Sequence, residues 1–457
     1  MMVSRQATEI DRERLQALIK EEQALFIERH PRSKELFERA KSHLIAGVPM
    51  NWMVKWASPY PVFVESANGA RFKDVDGIDY VDLCLGDTGA MTGHSPAAST
   101  ARIKEQLDRG ITCMLPTENS LYVAEELTRR FGLPYWQFAL TATDANRFSL
   151  RLARRLTERP YVLVFNWCYH GTVDESFIIL EDGKARARHG NCGPQIDPVE
   201  TTKVIEFNDI EALRKALAPR DVACVLAEPV MTNIGIVHPE PGYLDALREI
   251  TKETGTLLIL DETHTICTGP GGYTGKYGLK PDMLTIGKPI GSGIPGAAYG
   301  VTEELARKIQ EQSSVEVCDT SGIGGTLAGN ALSIAAMRAT LEDVLTEEAY
   351  EKTIPLCDRF VEGVEQIIEE YKLPWTVRQL GCRAEYWFSE QSPVNGGEAA
   401  AAGDFELDQY MHLAALNRGV LMTPFHNMAL VSPATTAEDI DRHTQAFRES
   451  VQNLISE

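Results

Sequence analysis

Short apolar segments alternate with amphipathic segments along the middle of the chain, between about residues 95 and 335. The apolar segments have the length of buried strands: Gln137–Thr141, Tyr161–Phe165, Ala223–Ala227, Thr256–Leu260, Met283–Ile286 and Ala297–Gly300. Segments with helical spacing lie between some of them, such as Asn146–Leu156 and Gly242–Lys252. Apolar strands separated by helices predict a mostly parallel, doubly wound α/β sheet. Ligands bind such sheets at the carboxyl ends of the strands.

The N-terminal part of the chain has a different pattern. Residues 8–42 have helical spacing that is interrupted at Pro31, which predicts two helices. Strands are predicted at Pro61–Glu65 and Tyr80–Leu85, with a turn at residues 74–77 between them.

The C-terminal part, from about residue 336, places long helices before mixed strands, which is typical of an α+β domain. Within it, the Gly- and Ala-rich stretch Asn395–Gly403 predicts a mobile loop. The length of the chain predicts more than one domain. We expect three regions, which are N-terminal helices with part of a small domain at residues 1–85, a large domain at residues 86–335, and the rest of the small domain at residues 336–457.

Composition and charge narrow the classes of function. The 457 residues carry a formal net charge of −20, which argues against nucleic acid and anionic membranes as partners. The nine cysteines contain no C-x-x-C pair, so we expect no zinc or redox motif and no metal site. The charged N-terminus does not resemble a signal peptide, and the apolar segments are too short to span a membrane. We therefore expect a cytoplasmic protein with reduced thiols.

Two of the predicted strands end in residues that can carry chemistry. One ends in Asp261, and the other ends in Lys288 before a Gly-rich segment. If both strands are parallel, the two side chains meet at one edge of the sheet. A lysine there can form a Schiff base with an aldehyde cofactor, and an aspartate can keep a pyridinium nitrogen protonated. A lysine after a strand is also a common surface residue.

Three more segments carry candidate binding groups. At residues 141–146 a strand ends in small residues and a helix begins, so backbone N–H groups can hold a phosphate there; alternatively, a threonine simply caps the helix. Tyr169 follows the strand Tyr161–Phe165 and can stack on a planar ring or line the core. Residues 324–330 open a helix at a second position that is suited to an anion or is merely capped.

Together these segments resemble the class III aminotransferases, a branch of the fold-type I enzymes that use pyridoxal 5'-phosphate (PLP). The resemblance covers residues 35–445, and it is closest to the glutamate-1-semialdehyde aminomutase and β-amino-acid transaminase side of the group. It is most specific in residues 257–300 and is supported by residues 72–80, 93–94, 227–229 and 434–441. It implies a fold-type I α/β architecture, in which a large domain with a mostly parallel sheet accompanies a smaller α+β domain built from both chain ends.

The resemblance implies roles around the cofactor ring. Lys288 would form the Schiff base and carry protons, and Asp261 would pair with the pyridine nitrogen. Tyr169 would stack on the ring. Thr263 stands where the family usually has valine, against the ring. His264, which follows it, is interpreted as a supporting polar group rather than as a base.

The resemblance also implies roles around the phosphate. Ala142 and Thr143 would bind it, although the family commonly has Ser-Gly-Thr-Glu-Ala where this chain has Thr-Ala-Thr-Asp-Ala at residues 141–145. Thr326 would reach the phosphate of a neighbouring subunit, which implies a homodimer with shared active sites. Glu228 would support the site.

The chain departs from the family at the substrate-binding positions. Relatives that act on carboxylated substrates have an arginine in the loop that corresponds to residues 47–54, and this loop has none. Trp52 and Met53 are candidate walls of an apolar pocket, or they pack at the dimer interface. His426 or its neighbours hold a second position used by the β-amino-acid enzymes. Arg383 is a candidate carboxylate anchor, or an arginine at the surface or bridging the core.

We therefore expect a PLP-dependent transaminase that moves an amino group from a hydrophobic amine, without a nearby carboxylate, to a keto acid. The alternatives are a PLP-dependent aminomutase or racemase, and a non-catalytic binding protein of the same fold. The absent loop arginine argues against the usual aminomutase substrate. The presence of both Lys288 and Asp261 argues against a non-catalytic protein.

Overall fold

The computed structural model of the protein describes residues 8–312, 322–424 and 426–456. The chain divides into two compact units. The central unit comprises Ala97–Tyr350 and Pro393–Ala401, and the terminal unit comprises Met1–Pro96, Glu351–Ser392 and Ala402–Glu457. The domain boundaries expected at residues 85 and 335 stay a prediction.

The helices and strands of the described residues are numbered in chain order. The α-helices are α1 (Arg12–Arg29), α2 (Pro31–Ala40), α3 (Ala97–Arg109), α4 (Glu118–Phe131), α5 (Ala142–Thr157), α6 (Ile210–Leu217), α7 (Tyr243–Thr254), α8 (Gly272–Tyr277), α9 (Glu303–Gln312), α10 (Ala331–Ala339), α11 (Glu347–Tyr371), α12 (Gly396–Ala401), α13 (Phe405–Asn417) and α14 (Ala437–Ile455). The strands are β1 (Val64–Asn68), β2 (Arg71–Asp74), β3 (Asp79–Asp82), β4 (Tyr135–Ala139), β5 (Tyr161–Phe165), β6 (Ile178–Glu181), β7 (Lys184–Ala187), β8 (Thr202–Ile205), β9 (Val222–Ala227), β10 (Leu257–Asp261), β11 (Met283–Ile286), β12 (Ala297–Val301), β13 (Thr376–Leu380), β14 (Arg383–Trp387), β15 (Val420–Leu421) and β16 (Met428–Leu430).

A seven-stranded sheet forms the core of the central unit, in the order β4-β12-β11-β10-β9-β5-β8. The pairs β11-β10, β10-β9, β9-β5 and β5-β8 are parallel, whereas β12 runs antiparallel to both of its neighbours. Every residue of β9 is buried, as expected for a strand covered on both faces. α5 packs across several of these strands through its apolar side chains. This arrangement confirms the predicted α/β fold class.

The predicted strands of this sheet agree with the structure to within two residues at each end. Tyr161–Phe165 and Met283–Ile286 have the predicted bounds, and β10 extends one residue further than predicted, to Asp261. The hairpin β6-β7 was not predicted. β6 lies in the apolar run of residues 177–180, which the prediction missed, whereas β7 carries no apolar run and is partly exposed. The outer strand β8 was also not predicted.

The terminal unit contains two antiparallel or mixed sheets, with the strand orders β1-β2-β3-β15 and β13-β14-β16. The predicted break at Pro31 is confirmed, because Pro31 begins α2 immediately after α1 has ended. The predicted turn at residues 74–77 is also confirmed. It joins β2 to β3, and the Asp74 carboxylate accepts the backbone N–H groups of Asp76 and Ile78 at 3.0 and 2.8 Å.

The loop predicted at Asn395–Gly403 is wrong over most of its length, because residues 396–401 form the helix α12. The Asn395 side chain accepts the backbone N–H of Glu398 at 2.9 Å and caps the first turn. Alanines then favour the helical conformation. The glycine content has a separate reason, since a Cβ atom on Gly396 would lie 1.9 Å from the carbonyl oxygen of Asn166.

In the described part of the chain, no helix is long and apolar enough to cross a membrane. The same residues contain no group of three or more His, Cys, Asp or Glu side chains placed to hold a metal ion.

Candidate functional site

The carboxyl ends of β10 and β11 bring Asp261 and Lys288 to the same edge of the central sheet. Asp261 is the last residue of β10 and is paired in parallel register with Thr285 of β11. Lys288 follows two residues after β11 ends. Its backbone has a φ angle of +44°, a left-handed conformation that is unfavourable for a side chain as long as lysine and that clusters at functional sites.

Asp261 is held by three hydrogen bonds in a buried position. Its Oδ2 accepts from Asn146 Nδ2 at 2.9 Å and faces His170 Nδ1 at 3.0 Å. Its Oδ1 accepts the backbone N–H of Thr263 at 3.1 Å. Asn146 is itself oriented by the Thr285 hydroxyl, which donates to Asn146 Oδ1 at 2.7 Å. The carboxylate is therefore fixed by groups from α5, β11 and the loop after β5.

His170 and Asp261 form a buried pair of opposite charges. Burial by itself raises the pKa of Asp261, but the hydrogen bond from His170 and its charge outweigh burial and lower the pKa to about 2. Burial likewise disfavours charged His170, but the bond to Asp261 outweighs it and raises the pKa of His170 to about 10. Both groups are therefore charged at neutral pH. Sequence reasoning assigned His170 no role, although its place directly after Tyr169 at a strand end was a usable signal.

Glu228, which follows β9, is a second buried carboxyl group at the same edge. Its Oε1 accepts from Asn233 Nδ2 at 3.1 Å and from the backbone N–H of Thr232 at 3.3 Å, and the Thr232 hydroxyl donates to Oε2. Burial raises the pKa of this carboxyl group. The two acids thus differ in electrostatic state, since Asp261 is strongly held as an anion and Glu228 is shifted towards the protonated form.

Three loops converge on the first turn of α5, where Ala142 and Thr143 lie. Thr141 caps the helix, since its side chain accepts the backbone N–H of Asp144 at 3.2 Å. A Cβ atom on Gly171 would lie 2.0 Å from Thr143 Oγ1, and one on Gly287 would lie 3.0 Å from the Ala142 Cβ. Glycine is therefore required for this close approach. Small residues around a helix start fit the cradle that a phosphate group needs.

The remaining residues predicted to bind the cofactor, Tyr169, Thr263 and Thr326, differ in how far they are buried. Tyr169 lies after β5 with 38% of its side chain exposed, and Thr263 is buried beside Asp261. Thr326 lies in a turn before α10 and is exposed on its own chain, whereas the helix start capped by Asn330 comes four residues later. Thr263 Oγ1 and His170 Nε2 are among the buried side-chain atoms that have no hydrogen-bond partner in the described part of the chain. Such orphaned atoms beside a fixed carboxylate and a lysine fit a polar ring bound at this edge.

His264 contacts Lys288 directly, which sequence reasoning did not foresee. Its Nε2 atom lies 2.8 Å from the lysine Nζ, and the imidazole is buried. No signal in the sequence gives this contact, because it depends on the conformation of the turn after β10. The interpretation of His264 as a supporting polar group stays a prediction, and the contact identifies Lys288 as the group that it would support.

The residues predicted to choose the substrate lie in the terminal unit. Trp52 and Met53 belong to a short 3₁₀ helix, with Trp52 41% exposed. Arg383 is fully buried in β14, between strand partners Leu380 and Leu430. His426 Nδ1 lies 2.8 Å from Glu385 Oε1, so the histidine at this position is paired with a carboxyl group. The substrate roles of Trp52, Met53 and Arg383 stay predictions.

Comparison with known proteins gives relatives over most of the chain. The family model of the class-III aminotransferases matches residues 52–451. A glutamate-1-semialdehyde 2,1-aminomutase of Methanocaldococcus jannaschii is 33% identical and covers 93% of this chain and 98% of that protein. The crystal structure of a glutamate-1-semialdehyde aminomutase from Pseudomonas aeruginosa PAO1 is 47% identical, has a TM-score of 0.95 and covers 97% of this chain and 99% of that one. An omega-transaminase from Sphaerobacter thermophilus is 27% identical, with a TM-score of 0.84 over 94% of this chain and 100% of that one.

These relatives favour the alternative over the main expectation. The names of the relatives with 31–33% identity are those of aminomutases rather than of transaminases for hydrophobic amines. A Pseudomonas aeruginosa structure, 46% identical, is a complex with PMP, the aminated form of the cofactor. The expected family and the expected cofactor, PLP, are both confirmed. The chain belongs to the class-III aminotransferases, a family of PLP-dependent enzymes.

Proposed function

We propose that the protein is a PLP-dependent aminomutase that shifts an amino group between neighbouring carbons of glutamate-1-semialdehyde. The observation that carries the proposal is the parallel register of β10 and β11, which gives Asp261 and Lys288 one common edge. The substrate is inferred from relatives that are 31–47% identical to this chain and are named glutamate-1-semialdehyde aminomutases. Together the two observations support amino-group chemistry within one substrate.

Bound PLP supplies an aldehyde that carries the amino group and a pyridinium ring that withdraws electrons. In this proposal Lys288 holds the aldehyde carbon through Nζ and moves the proton at the reacting carbon. The Asp261 carboxylate keeps the ring nitrogen protonated, and His170 keeps that carboxylate ionised and oriented. Thr263 lies beside Asp261 and would face the ring.

Other residues would bind and orient the cofactor. The backbone N–H groups at Ala142 and Thr143 would hold the phosphate at the start of α5, which Thr141 caps. Tyr169 would stack on the ring, with its carbonyl oxygen accepting from Asn233 Nδ2 at 3.4 Å. Asn233 Nδ2 also donates to Glu228 Oε1, so Glu228 would help to hold Asn233 against the backbone of Tyr169.

We also propose a homodimer in which Thr326 of each subunit binds the cofactor phosphate in the active site of the other subunit. The exposure of Thr326 on its own chain supports this, because a residue directed at a partner is exposed in one subunit. Large apolar side chains are exposed on the same unit, among them Met114 at 79% and Leu115 at 74%, as expected of a surface that a second subunit covers. Light scattering tests the dimer, and a catalytically active monomer would contradict it.

A second candidate function is transamination of a hydrophobic amine with a keto acid. The observation that favours it is the composition of residues 47–54, Gly-Val-Pro-Met-Asn-Trp-Met-Val, which offers no arginine for a carboxylate. An apolar wall stabilises a bound apolar group by about 25 cal/mol per Å² of buried area. Small-molecule amines and keto acids are the substrates in this case.

One experiment compares the two functions. Purified protein is incubated with glutamate-1-semialdehyde alone, and the isomer with its amino group moved to C1 is quantified. In parallel, a hydrophobic arylalkylamine is offered together with pyruvate, and alanine is quantified. The proposal expects isomerisation without any added keto acid and at a higher kcat/KM than alanine formation. Efficient alanine formation with no isomerisation would overturn it in favour of the second candidate.

A further inference from the structure

Glu262, at the start of the turn that carries His264, binds both this turn and the beginning of α8. This buried carboxylate accepts the Thr265 hydroxyl and the backbone N–H of Thr274, both at 2.5 Å, and the backbone N–H of Tyr273 at 3.0 Å. The turn also closes on itself, because the backbone N–H of Cys267 donates to the carbonyl oxygen of His264 at 3.2 Å. The imidazole is therefore held in place by rigid structure rather than by a mobile loop.

The contact between His264 and Lys288 constrains where the hydrogens lie. A protonated lysine has only donors, so His264 Nε2 must then accept, which makes the imidazole neutral with its hydrogen on Nδ1. An unprotonated lysine amine can instead accept a hydrogen from Nε2. At 2.8 Å the two nitrogens can share one proton in either arrangement. The geometry thus suits a proton that moves between the two side chains.

The other titratable groups at this edge are engaged elsewhere. The Asp261 oxygens contact His170, Asn146 and the backbone of Thr263.

The oxygens of Glu228, at the end of β9, contact Thr232 and Asn233, and those of Glu262 hold the turn just described. His170, in the loop after β5, directs its Nδ1 at Asp261. Among these groups it is His264 whose ring nitrogen meets the lysine amine. A carboxylate in that place would hold the amine permanently charged, whereas an imidazole can both take and release a proton near neutral pH.

We propose that His264 is a positioning residue that fixes the amine of Lys288 and exchanges a proton with it during turnover. The inference rests on the proposed role of Lys288 as the cofactor lysine. In the exchange, a bond from Lys288 Nζ to hydrogen breaks and a bond from His264 Nε2 to hydrogen forms. The electron pair stays on Nζ, nothing is oxidised or reduced, and the reverse transfer restores both groups.

The exchange has a specific use in a reaction that shifts an amino group within one substrate. Lys288 then takes a proton at one carbon and delivers a proton at another, so Nζ must change its protonation state between the two events. A neighbouring base that stores the proton lets each event begin with the amine in the state that it requires. His264 would thereby set the proton affinity of the group that performs the chemistry.

The test uses the cofactor-loaded protein and two variants of this histidine. His264→Leu removes the acceptor, whereas His264→Gln keeps an acceptor but cannot hold a proton near neutral pH. His189→Leu is the matched control, because His189 is an exposed histidine paired with Glu181 on the surface. The first readout is the visible absorbance of the bound cofactor as a function of pH. The second is the pH dependence of kcat.

We expect His264→Leu to move the midpoint of the absorbance titration down by about one pH unit, because the protonated nitrogen loses a charge-assisted hydrogen bond. In His264→Gln the absorbance midpoint should return most of the way to the wild-type value. The kcat of this variant should nevertheless fall by about tenfold or more, and the pH profile of kcat should lose one limb. His189→Leu should leave both readouts unchanged. If His264→Leu does not fold, the kcat profile of His264→Gln alone decides the question.

Two different failures can be told apart by mapping the cofactor after reduction with borohydride. If the cofactor maps to Lys288 but His264→Gln turns over with the wild-type pH profile, the role of His264 is wrong and the proposed function stands. If the cofactor maps to another lysine, the proposed role of Lys288 fails and the inference about His264 fails with it.

Discussion

The carboxyl edge of the central sheet and the segment of residues 47–54 differ in how firmly their side chains are held. At the edge, Asp261 is 4% exposed and engaged by three neighbours. In the segment, Met50 is 54% exposed and Trp52 41% exposed on a short 3₁₀ helix. In the proposed function this contrast separates two tasks, because the rigid sheet edge would carry the chemistry and the exposed segment would select the substrate.

A second contrast lies within the edge itself, between Asp261 and Glu228. Both carboxyl groups are buried at the ends of neighbouring strands, yet the pKa of Asp261 is lowered to about 2 and that of Glu228 is raised. The difference comes from the partner, because Asp261 faces a cationic histidine and Glu228 accepts hydrogen bonds from neutral groups. A permanent anion suits a partner for a pyridinium nitrogen, whereas a carboxyl group without a cationic partner suits a supporting role.

The largest effect is expected at Lys288. Replacing it by alanine removes both the anchor of the cofactor and the group that moves protons, so kcat should fall by at least about 10³-fold. The control is Lys280→Ala, because Lys280 lies exposed on the same segment of chain before β11. Steady-state kinetics of both variants tests the prediction. Comparable losses in the two variants would show that the edge does not carry the chemistry.

The next largest effect is a difference in the free energy of unfolding between variants of the two buried acids, Asp261 and Glu228. In the protein without added cofactor, Asp261→Asn leaves the charge of His170 buried without its counter-ion and should lower the free energy of unfolding by about 3–5 kcal/mol. Glu228→Gln, which resembles a protonated carboxyl group, should cost less, at about 1–3 kcal/mol. Urea denaturation measures both. Equal losses would mean that the two acids do not differ in charge state.

A pH titration of stability sharpens the same contrast. The pKa of His170 rises from 6.5 to about 10 on folding, so its stabilisation is complete below pH 6.5 and is lost as the pH rises through 10. For Asp261 the pKa falls from 3.8 to about 2, so that stabilisation is lost only as the pH falls from 3.8 towards 2. The stability advantage of wild type over His170→Gln should therefore shrink by on the order of 4 kcal/mol between pH 6.5 and 10. Melting curves across this range check it, and a constant advantage would contradict it.

The smallest effects on stability are expected in the exposed segment. Trp52→Ala should lower the free energy of unfolding by about 1 kcal/mol, the typical cost of a single substitution, because 41% of the residue is already in water. If the segment helps to choose the substrate, Met53→Arg should raise kcat/KM for a carboxylated donor relative to an arylalkylamine. A large loss of stability in Trp52→Ala, with unchanged substrate preference in Met53→Arg, would assign the segment to packing.

The elements that could be predicted from the sequence are those with an unambiguous pattern. β5 and β11 were predicted with their observed bounds because each is a short, mostly apolar segment that directly follows Pro160 or Asp282. Placing Asp261 and Lys288 together required only that their strands be parallel. The strand β7 lacks such a pattern, and α12 was missed because its glycines serve close packing rather than flexibility.

The contacts of the site were harder to predict than its location. The pairing of His170 with Asp261 and that of His264 with Lys288 each join residues from different segments of the chain. Such contacts depend on backbone turns that no spacing rule fixes. Asn146 is similar, because a polar residue on the apolar face of α5 signals a buried partner but does not identify it.

The most direct test of the account is to reduce the cofactor-loaded protein with borohydride and to locate the cofactor by peptide mass spectrometry. Reduction makes the bond between the cofactor and its lysine permanent, so the label marks the residue that holds it. The account predicts one label, on Lys288, at the carboxyl end of β11. A label on Lys276 or Lys280 instead, or on no lysine at all, would contradict it.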